Sequence, residues 1–455
     1  MRVLFLLSLA AIAAILLPDP GPAQSFTGDF YVAGEWYSVG PTVARIDRAT
    51  LKISTFTSAF STATRRIHEI VQAEDNHDFY ILSEDPTSGG KWITRVFRLD
   101  PTGIILKTVY DGSASTVLLK VRDMFMDQNG DLVLVDYDQG LHCLDPSTGL
   151  TTTVLTKPAF SPAMWAGGVD IDTGCHLIGA TSRWIWSWDF TAGVLTSLLQ
   201  GPGSGNFRYS LEQDLSTGAV YLGTCCGTRC LSVDLALYAF DLRNRTATTL
   251  IGCQPVIRAL YGHRFDRRVN LPGRNLIYAS VSGFANANEV SGLFTIDPQG
   301  VITSITTYGL PASGVLTTYG FEIGGSRNLA PVRVQTPNNR TIHVCFPESA
   351  FSAKPYVAAL GLSGVHPGVP LGDGRMINLN PDALTVLSLA NLLPGLWDPG
   401  PGVLDPFGRA ALKLNLNALG AAVRGIPVWL SVAVLDPLAP KGIAAIAETT
   451  VIRLE

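Results

Sequence analysis

The sequence predicts an all-β chain, a six-bladed β-propeller (seven possible) followed by a C-terminal β-sandwich. Three observations predict it. A strand ending in a turn aspartate recurs at Asp47, Asp100, Asp145, Asp189, Asp241 and Asp297, every 44 to 56 residues. Its clearest copy is Leu141-His142-Cys143-Leu144-Asp145-Pro146-Ser147-Thr148-Gly149 before the β-branched run Thr151 to Thr156, which reads as strand, tight turn and antiparallel strand. A repeat of about 40 to 50 residues in a β-sequence is the length of a four-stranded propeller blade. Finally, the two ends of the repeat region complement each other, as set out below.

The other half of each blade is a second hairpin. Arg122 to Met126, the Asn129-Gly130 turn and Asp131 to Val135 precede the Asp145 hairpin, and Asn-Gly is a favoured two-residue turn. Matching pairs run from Ile67 to Leu82, Gly168 to Ala180, Tyr209 to Gly223 and Arg258 to Ser280. Asp29 to Ala33 resembles a second blade strand with no first strand before it, whereas Tyr319 to Ile323 resembles a first strand with no Asp hairpin after it. The late strand is therefore expected to complete the first blade, which removes an open sheet edge. Arg340 to Phe346 is the strand that would make a seventh blade.

The expected domains are a signal peptide over 1–23, the propeller over 24–349 and the sandwich over 350–455. Arg2, the apolar run Val3 to Leu17, Pro18 to Pro22 and the small Ala23 form a secretory leader pattern. Fifteen apolar residues barely span a bilayer, so the mature chain is expected to be secreted, extracellular or at the cell surface, with no membrane segment. Charged residues are only 15% and the net charge is −4, which argues against nucleic acid as a partner. Seven cysteines in an exported chain point to disulfides. Cys225, Cys226, Cys230 and Cys253 form one group, and Cys143 and Cys175 are a candidate pair. The odd count leaves one thiol free or bonded to another chain. Four clustered cysteines also suggest zinc, but adjacent Cys225 and Cys226 match the usual ligand spacing poorly, and no metal is expected.

In the last hundred residues the Asp period is lost. Strands are expected at Tyr356 to Leu362, Met376 to Leu379, Leu384 to Ala390, Ala410 to Asn417, Val428 to Leu435 and Ile443 to Leu454, separated by turn residues, which suits a sandwich. The segments Gly361 to Arg375, Leu379-Asn380-Pro381-Asp382-Ala383-Leu384 and Gly402 to Ala410 resemble a C-terminal β-sandwich module of large exported proteins of planctomycete-like and other environmental bacteria. That resemblance covers about a quarter of the chain and implies location and architecture, with no chemistry. The propeller resembles the broad superfamily of NHL and quinoprotein-like rings, a fold that hosts many functions.

Residues suited to chemistry are scarce. There is no G-x-S-x-G elbow. His68-Glu69-Ile70-Val71-Gln72 starts like a zinc-protease motif, but Gln72 replaces the second histidine and the segment reads as a strand. Asp127-Gln128-Asn129-Gly130-Asp131 resembles the start of a calcium loop without its closing Glu, and an aspartate-capped turn explains it better; Asp170-Ile171-Asp172 is similar. Neither catalytic residues nor cofactors are expected.

A ligand site is expected where the first strand of each blade meets the channel mouth. The candidates are Arg66, Glu69, Arg122, Asp123 and Arg258, with His68, Arg208, Tyr209 and Tyr319 beside them. Arg122 with Asp123, and Arg66 with Glu69, suit an anion or a sugar. The competing structural reading has these charges satisfying strand ends and one another. Trp184, Trp186 and Trp188 share one strand face and are expected to pack between blades. The sequons at Asn244 and Asn339 are taken as incidental. The leading functional expectation is a non-catalytic structural or interaction protein of the cell exterior that self-associates, conceivably into a fibre or surface layer through propeller–sandwich contacts. The alternative is a ligand-binding or enzymatic propeller, a lyase or glycan-active protein, with a glycan or protein ligand at the channel mouth.

Overall fold

The computed structural model describes residues 29–36, 40–48, 50–60, 66–72, 78–86, 92–114, 120–127, 131–156, 164–170, 176–181, 184–189, 194–200, 206–213, 219–225, 235–241, 244–254, 259–265, 277–282, 292–297, 299–307, 316–323, 329–336, 339–346, 351–365, 368–371, 376–398, 401–406, 408–421, 426–447 and 449–453. Six four-stranded antiparallel sheets form the blades of a propeller. From channel to rim, blade 2 runs Arg66–Gln72, Phe79–Pro86, Trp92–Leu99 and Ile105–Asp111. Blade 3 runs Val121–Met126, Leu132–Asp136, Gly140–Leu144 and Thr151–Thr156. Blade 4 runs from Met164–Asp170 to Val194–Gln200, blade 5 from Asn206–Gln213 to Thr246–Gln254, and blade 6 from Ala259–Phe265 to Ile302–Thr307.

Blade 1 is closed as the sequence predicts. Its inner strand is Leu316–Ile323, paired with Phe30–Trp36 from the other end of the ring. The six inner strands touch one another in cyclic order, so the ring of blades closes on itself.

The recurring aspartates build the turns between third and fourth strands. Asp100 Oδ1 accepts from the backbone N–H groups of Thr102 and Ile104 and from the Thr102 hydroxyl. Asp145, Asp47, Asp241 and Asp297 accept equivalent bonds from the residues that follow them. These side-chain bonds hold the backbone in a turn that a helix or longer strand would forbid. The residue before each turn, Ile46, Leu99, Leu144, Phe240 or Ile296, is fully buried. Trp188 holds this position in blade 4 and is half-buried, packed on the cluster of Val133, Val135, Leu141 and Leu155 of blade 3. It therefore packs between blades, as expected of the tryptophan row.

Alternate residues of each strand face alternate neighbours. In blade 2, Ile81 and Phe97 pack toward blade 1 with Tyr31, Val43 and Phe60. Leu82, Val96 and Tyr110 pack toward blade 3 with Val121, Met124 and Leu134.

The second unit is a sandwich of two sheets. One orders Leu329–Thr336, Asn339–Cys345, Arg409–Asn415 and Trp397–Asp398; the other orders Gly402–Val403, Pro355–Gly361, Pro427–Leu435 and Ile443–Ile446, with Thr450–Arg453 also on Pro427–Leu435. Ile342, Val344, Leu412 and Leu414 from the first sheet meet Tyr356, Leu360, Leu430 and Val432 from the second in one buried core.

Two expectations are corrected here. Asn339–Cys345 is not a ring strand: it pairs along its length with Arg409–Asn415. The unit boundary thus falls between Ile323 and Leu329, not at 349/350, and the ring has six blades. Leu384 to Ala390, expected as a strand, lies largely in helix α1, Ala383–Leu389. Asp382 caps it: its side chain accepts from Thr385 N–H while the Thr385 hydroxyl returns a contact to the Asp382 backbone. This reciprocal cap satisfies two of the open amides of a helix start.

Candidate functional site

The chemistry-bearing residues gather where the inner strands of blades 2 and 3 begin. All six inner strands carry a register slip against their second strands. A bulge inserts a residue and re-aims its side chain. His68 is the extra residue in blade 2 and Arg122 in blade 3, while Tyr319 holds that register position in blade 1.

Glu84 is the hub. It lies two residues before the end of the second strand of blade 2, in register with Arg66, and is buried. His68 Nε2 lies 2.8 Å from Glu84 Oε2, and Arg122 Nη1 lies 3.8 Å from the same oxygen. Burial alone would raise the Glu84 carboxyl; the bond to His68 and the charges of His68, Arg122 and Arg66 outweigh it and hold the carboxyl below its ordinary value. Arg66 lies on the exposed side, its guanidinium 4.4 Å from the centre of the Trp92 ring, a cation–π distance. Beside it Arg95 joins Asp85 and Asp111, with Nε 3.0 Å from Asp111 Oδ2.

The predicted candidates divide. Arg66 and Arg122 belong to this cluster. Glu69 and Asp123 do not: both are buried and bond backbone amides. Glu69 Oε1 accepts from Ile70 N–H. Asp123 Oδ1 accepts from Met124 N–H, and its Oδ2 accepts at 2.8 Å from Gly167 N–H of the next blade's inner strand. A carboxylate used in the way of Asp123 ties two blades together. Arg258 lies outside the described residues, and of Arg208, Tyr209 and Tyr319 only the backbone is described.

Glu84 is not among the residues that the first strands offer, because it lies on the second strand of its blade. The acidic run Ser83-Glu84-Asp85 opposite Arg66 is the signal that marks it. Asp127 accepts from Asp131 N–H as a turn cap, and among the described residues no cluster of His, Cys, Asp and Glu is arranged to hold a metal ion.

Cys143 is a free thiol, so the bridge expected to Cys175 is not made. It stands where blades 1 and 2 carry Arg45 and Arg98, which pair with Asp29 and Asp78. Burial pushes its thiol far above the usual range, and Asp127 and Asp131 add to this, so the thiolate that reacts is suppressed. Cys225 pairs with Leu235, which in turn pairs with Gln254. Cys225 and Cys253 therefore sit two strands apart, about 10 Å, beyond the reach of a direct bridge. Cys175, Cys226, Cys230 and the leader residues 1–23 lie outside the described residues.

Two apolar surfaces are also exposed. In the sandwich, helix α1 and the turn after it bare Val386 and Leu392, each at 62%, with Leu387 and Leu389 beside them, and no charged residue occurs between Asp382 and Asp398. On the propeller, the residue after the turn glycine repeats the exposure: Ile104 at 63%, Leu150 at 71% and Val301 at 58%. Among the described residues no helix is long and apolar enough to cross a membrane.

No family model matches the chain, and no curated protein does. Solved structures that share its shape do so at low identity. One, titled as a nidogen/laminin complex, has a TM-score of 0.45 at 12% identity, covering 66% of this chain and 98% of that one. An auxiliary nutrient binding protein from Bacteroides thetaiotaomicron has a TM-score of 0.39 at 12% identity, covering 70% and 82%. A structural-genomics protein of unknown function from the same organism has a TM-score of 0.39 at 13% identity, covering 58% and 70%.

Proposed function

We propose that the chain is a non-catalytic interaction protein of the cell exterior that self-associates head to tail, the sandwich of one copy seated on the propeller of the next. The observation that carries this is the pair of unlike apolar surfaces. A contiguous exposed apolar face such as that of helix α1 marks a contact site. One surface is the uncharged helix face of Val386, Leu387, Leu389 and Leu392; the other is the set of turn residues Ile104, Leu150 and Val301 repeated around one side of the ring. Both are on the same chain, so a second copy supplies each with the other. A contact between two different surfaces of identical chains extends without limit unless it closes into a ring, which suits a fibre or layer. The low charge content and the leader pattern suit an exterior location.

The test is light scattering and negative-stain imaging of the mature protein over a range of concentrations. Val386→Asp with Leu392→Asp, and separately Ile104→Asp with Leu150→Asp, are expected to return assemblies to monomers with unchanged melting temperature. A stable contact must bury more than about 1,000 Å². A wild type that stays monomeric at high concentration removes the reading.

A further inference from the structure

We propose that the propeller opens and closes at one seam, where the three N-terminal strands of blade 1 meet the strand and the blade that arrive from the other end of the ring, and that Arg48 is the clasp that shuts it. The proposal stands whether or not copies self-associate. The chain leaves blade 6 and enters blade 1 only as its inner strand, Leu316–Ile323. The other strands of that blade, Phe30–Trp36, Gly40–Ile46 and Ile53–Thr57, come from the opposite end of the ring. The ladder of Phe30–Trp36 joins them to the inner strand, and side chains join them to blade 6. No peptide link crosses here, whereas a connecting segment runs from each of blades 1 to 5 into the inner strand of the next. Local opening favours a place that few contacts and no covalent tether hold shut.

The rim contacts of blade 1 differ in the same direction. In blades 2, 3 and 6 a turn glycine abuts the blade before: a Cβ on Gly103, Gly149 or Gly300 would fall 2.2 to 2.6 Å from the carbonyl oxygen of Phe56, Val109 or Leu250. Each of those carbonyls belongs to the residue at a register slip in a fourth strand, and Ile305 holds that place in blade 6. Leu51 occupies the turn position of Gly149. Its N–H donates to the carbonyl of the turn aspartate at 2.8 Å, as that of Gly149 does, and its φ is +56°. Leu51 carries the Cβ that the close approach excludes, so blade 1 does not rest on Ile305 in this way. Arg48, in the same turn, makes the contact instead. Its guanidinium carbon lies 5.5 Å from the centre of the Phe30 ring and 5.3 Å from that of Tyr278, and its Nη2 donates to the Tyr278 hydroxyl oxygen at 3.0 Å. The Phe30 and Tyr278 rings meet at 5.2 Å. Tyr278 belongs to the second strand of blade 6, so one side chain spans the seam by a cation–π contact and a hydrogen bond. Such a clasp reforms whenever the two rings come together, whereas the backbone approach elsewhere is fixed by the turn itself.

The test is hydrogen–deuterium exchange of the full chain, read by mass spectrometry over a range of urea below the unfolding transition, where exchange reports the opening equilibrium. Amides of Phe30–Trp36 and Leu316–Ile323 are expected to exchange through a separate opening, at lower urea than those of Trp92–Leu99 and Leu132–Asp136. Tyr278→Phe keeps the ring and removes only the hydroxyl, so it should fold as wild type does. It should speed exchange of the first two strands about tenfold, the worth of one hydrogen bond to a charged donor. Arg48→Met removes the guanidinium and should speed it at least as much. Neither variant should alter the strands of blades 2 and 3. The proposal is overturned if the two strands of blade 1 exchange only together with the rest of the ring in the wild type, if both variants leave their exchange unchanged, or if the variants speed exchange in blades 2 and 3 by the same factor.

Discussion

Gly103 lies against Phe56. A Cβ on Gly103 would fall 2.2 Å from the Phe56 carbonyl oxygen, and Gly103 itself has a φ of +88°. Phe56 belongs to the rim strand Ile53–Thr57 of blade 1, whereas Gly103 ends the Asp100 turn of blade 2. Gly149 meets Val109 of blade 2 and Gly300 meets Leu250 of blade 5 in the same way. In blades 2, 3 and 6 the Asp turn is thus also a latch that rests the blade on the rim of the one before it. Lys107 Nζ reinforces one latch by donating to the Pro146 carbonyl, 2.9 Å away. Both the positive φ and the close backbone approach exclude a side chain. Gly103→Ala should therefore cost about 3 kcal/mol. Gly364, with φ +82° and open space around it, provides the contrast: Gly364→Ala carries the conformational penalty alone, about 1 kcal/mol. Urea unfolding of both variants checks the difference; equal costs would remove the latch.

The buried His68–Glu84 pair predicts an acid signature. Because Glu84 sits below its ordinary value of 4.5 in the folded chain, its contribution is full above pH 4.5 and is lost as pH falls through the folded value. His68→Leu leaves the carboxylate with Arg122 at 3.8 Å and should cost about 3 kcal/mol at pH 7. With its main partner gone, burial dominates and Glu84 takes up a proton more readily than in the unfolded chain. The gap between variant and wild type should then shrink as pH drops below 4.5. Denaturant melts at pH 7 and pH 4 measure this, and a gap that stays constant argues against an ionised Glu84.

His142 predicts a second pH effect with the same sign at a higher pH. It is buried in blade 3, its Nδ1 3.3 Å from the Thr153 hydroxyl, and its Nε2 has no partner. Burial lowers its pKa from 6.5, with nearby Asp136 opposing the shift only in part. The unfolded chain therefore binds the proton more readily, so stability is full above pH 6.5 and is lost as pH falls through the folded value. Phe97 fills the equivalent place in blade 2, opposite Ile81 as His142 is opposite Leu134. His142→Phe should stabilise the protein, and thermal melts should show the gain growing from pH 7.5 to pH 5. A gain independent of pH would mean that His142 does not titrate in that range.

The blades were legible because their signals are local. An aspartate that bonds residues two to four positions on, with a glycine three or four residues after it in the clearest copies, announces a turn within one short window. Ring closure was legible because a missing first strand at Asp29 and a surplus one at Phe321 complement each other. The sandwich boundary was not. The hairpin from Leu329 to Cys345 has the same alternation as a ring hairpin, and only its partner Arg409–Asn415, far along the chain, decides which sheet it joins. Helix α1 was misread from its apolar run, though Asp382 and Thr385 spell its cap. At the channel mouth, Arg66 and Arg122 were found from their positions on first strands. Glu84 was missed because its role arises from a neighbouring strand and the next blade. The use of Asp123 likewise depends on Gly167 across a blade seam, which no spacing within one repeat reveals.

The revised boundary predicts how the chain tolerates cutting. The ring needs Leu316–Ile323, since that strand completes blade 1 against Phe30–Trp36. It needs nothing beyond. A chain ending at residue 328 should therefore fold as a complete propeller and melt in one cooperative transition. Ending at residue 349 is expected to be worse although it removes less. The hairpin Leu329–Thr336 and Asn339–Cys345 would remain, stripped of Arg409–Asn415 along one edge and of the core that covers Ile342 and Val344. An uncovered edge strand with an apolar face pairs with other chains. The longer fragment should accordingly aggregate at concentrations where the shorter one stays monodisperse. Ending at residue 315 should unfold blade 1 and open the ring. Size-exclusion chromatography with circular dichroism on the three fragments decides the matter: if the fragment ending at 349 is the better behaved of the two longer pieces, the hairpin belongs to the ring after all.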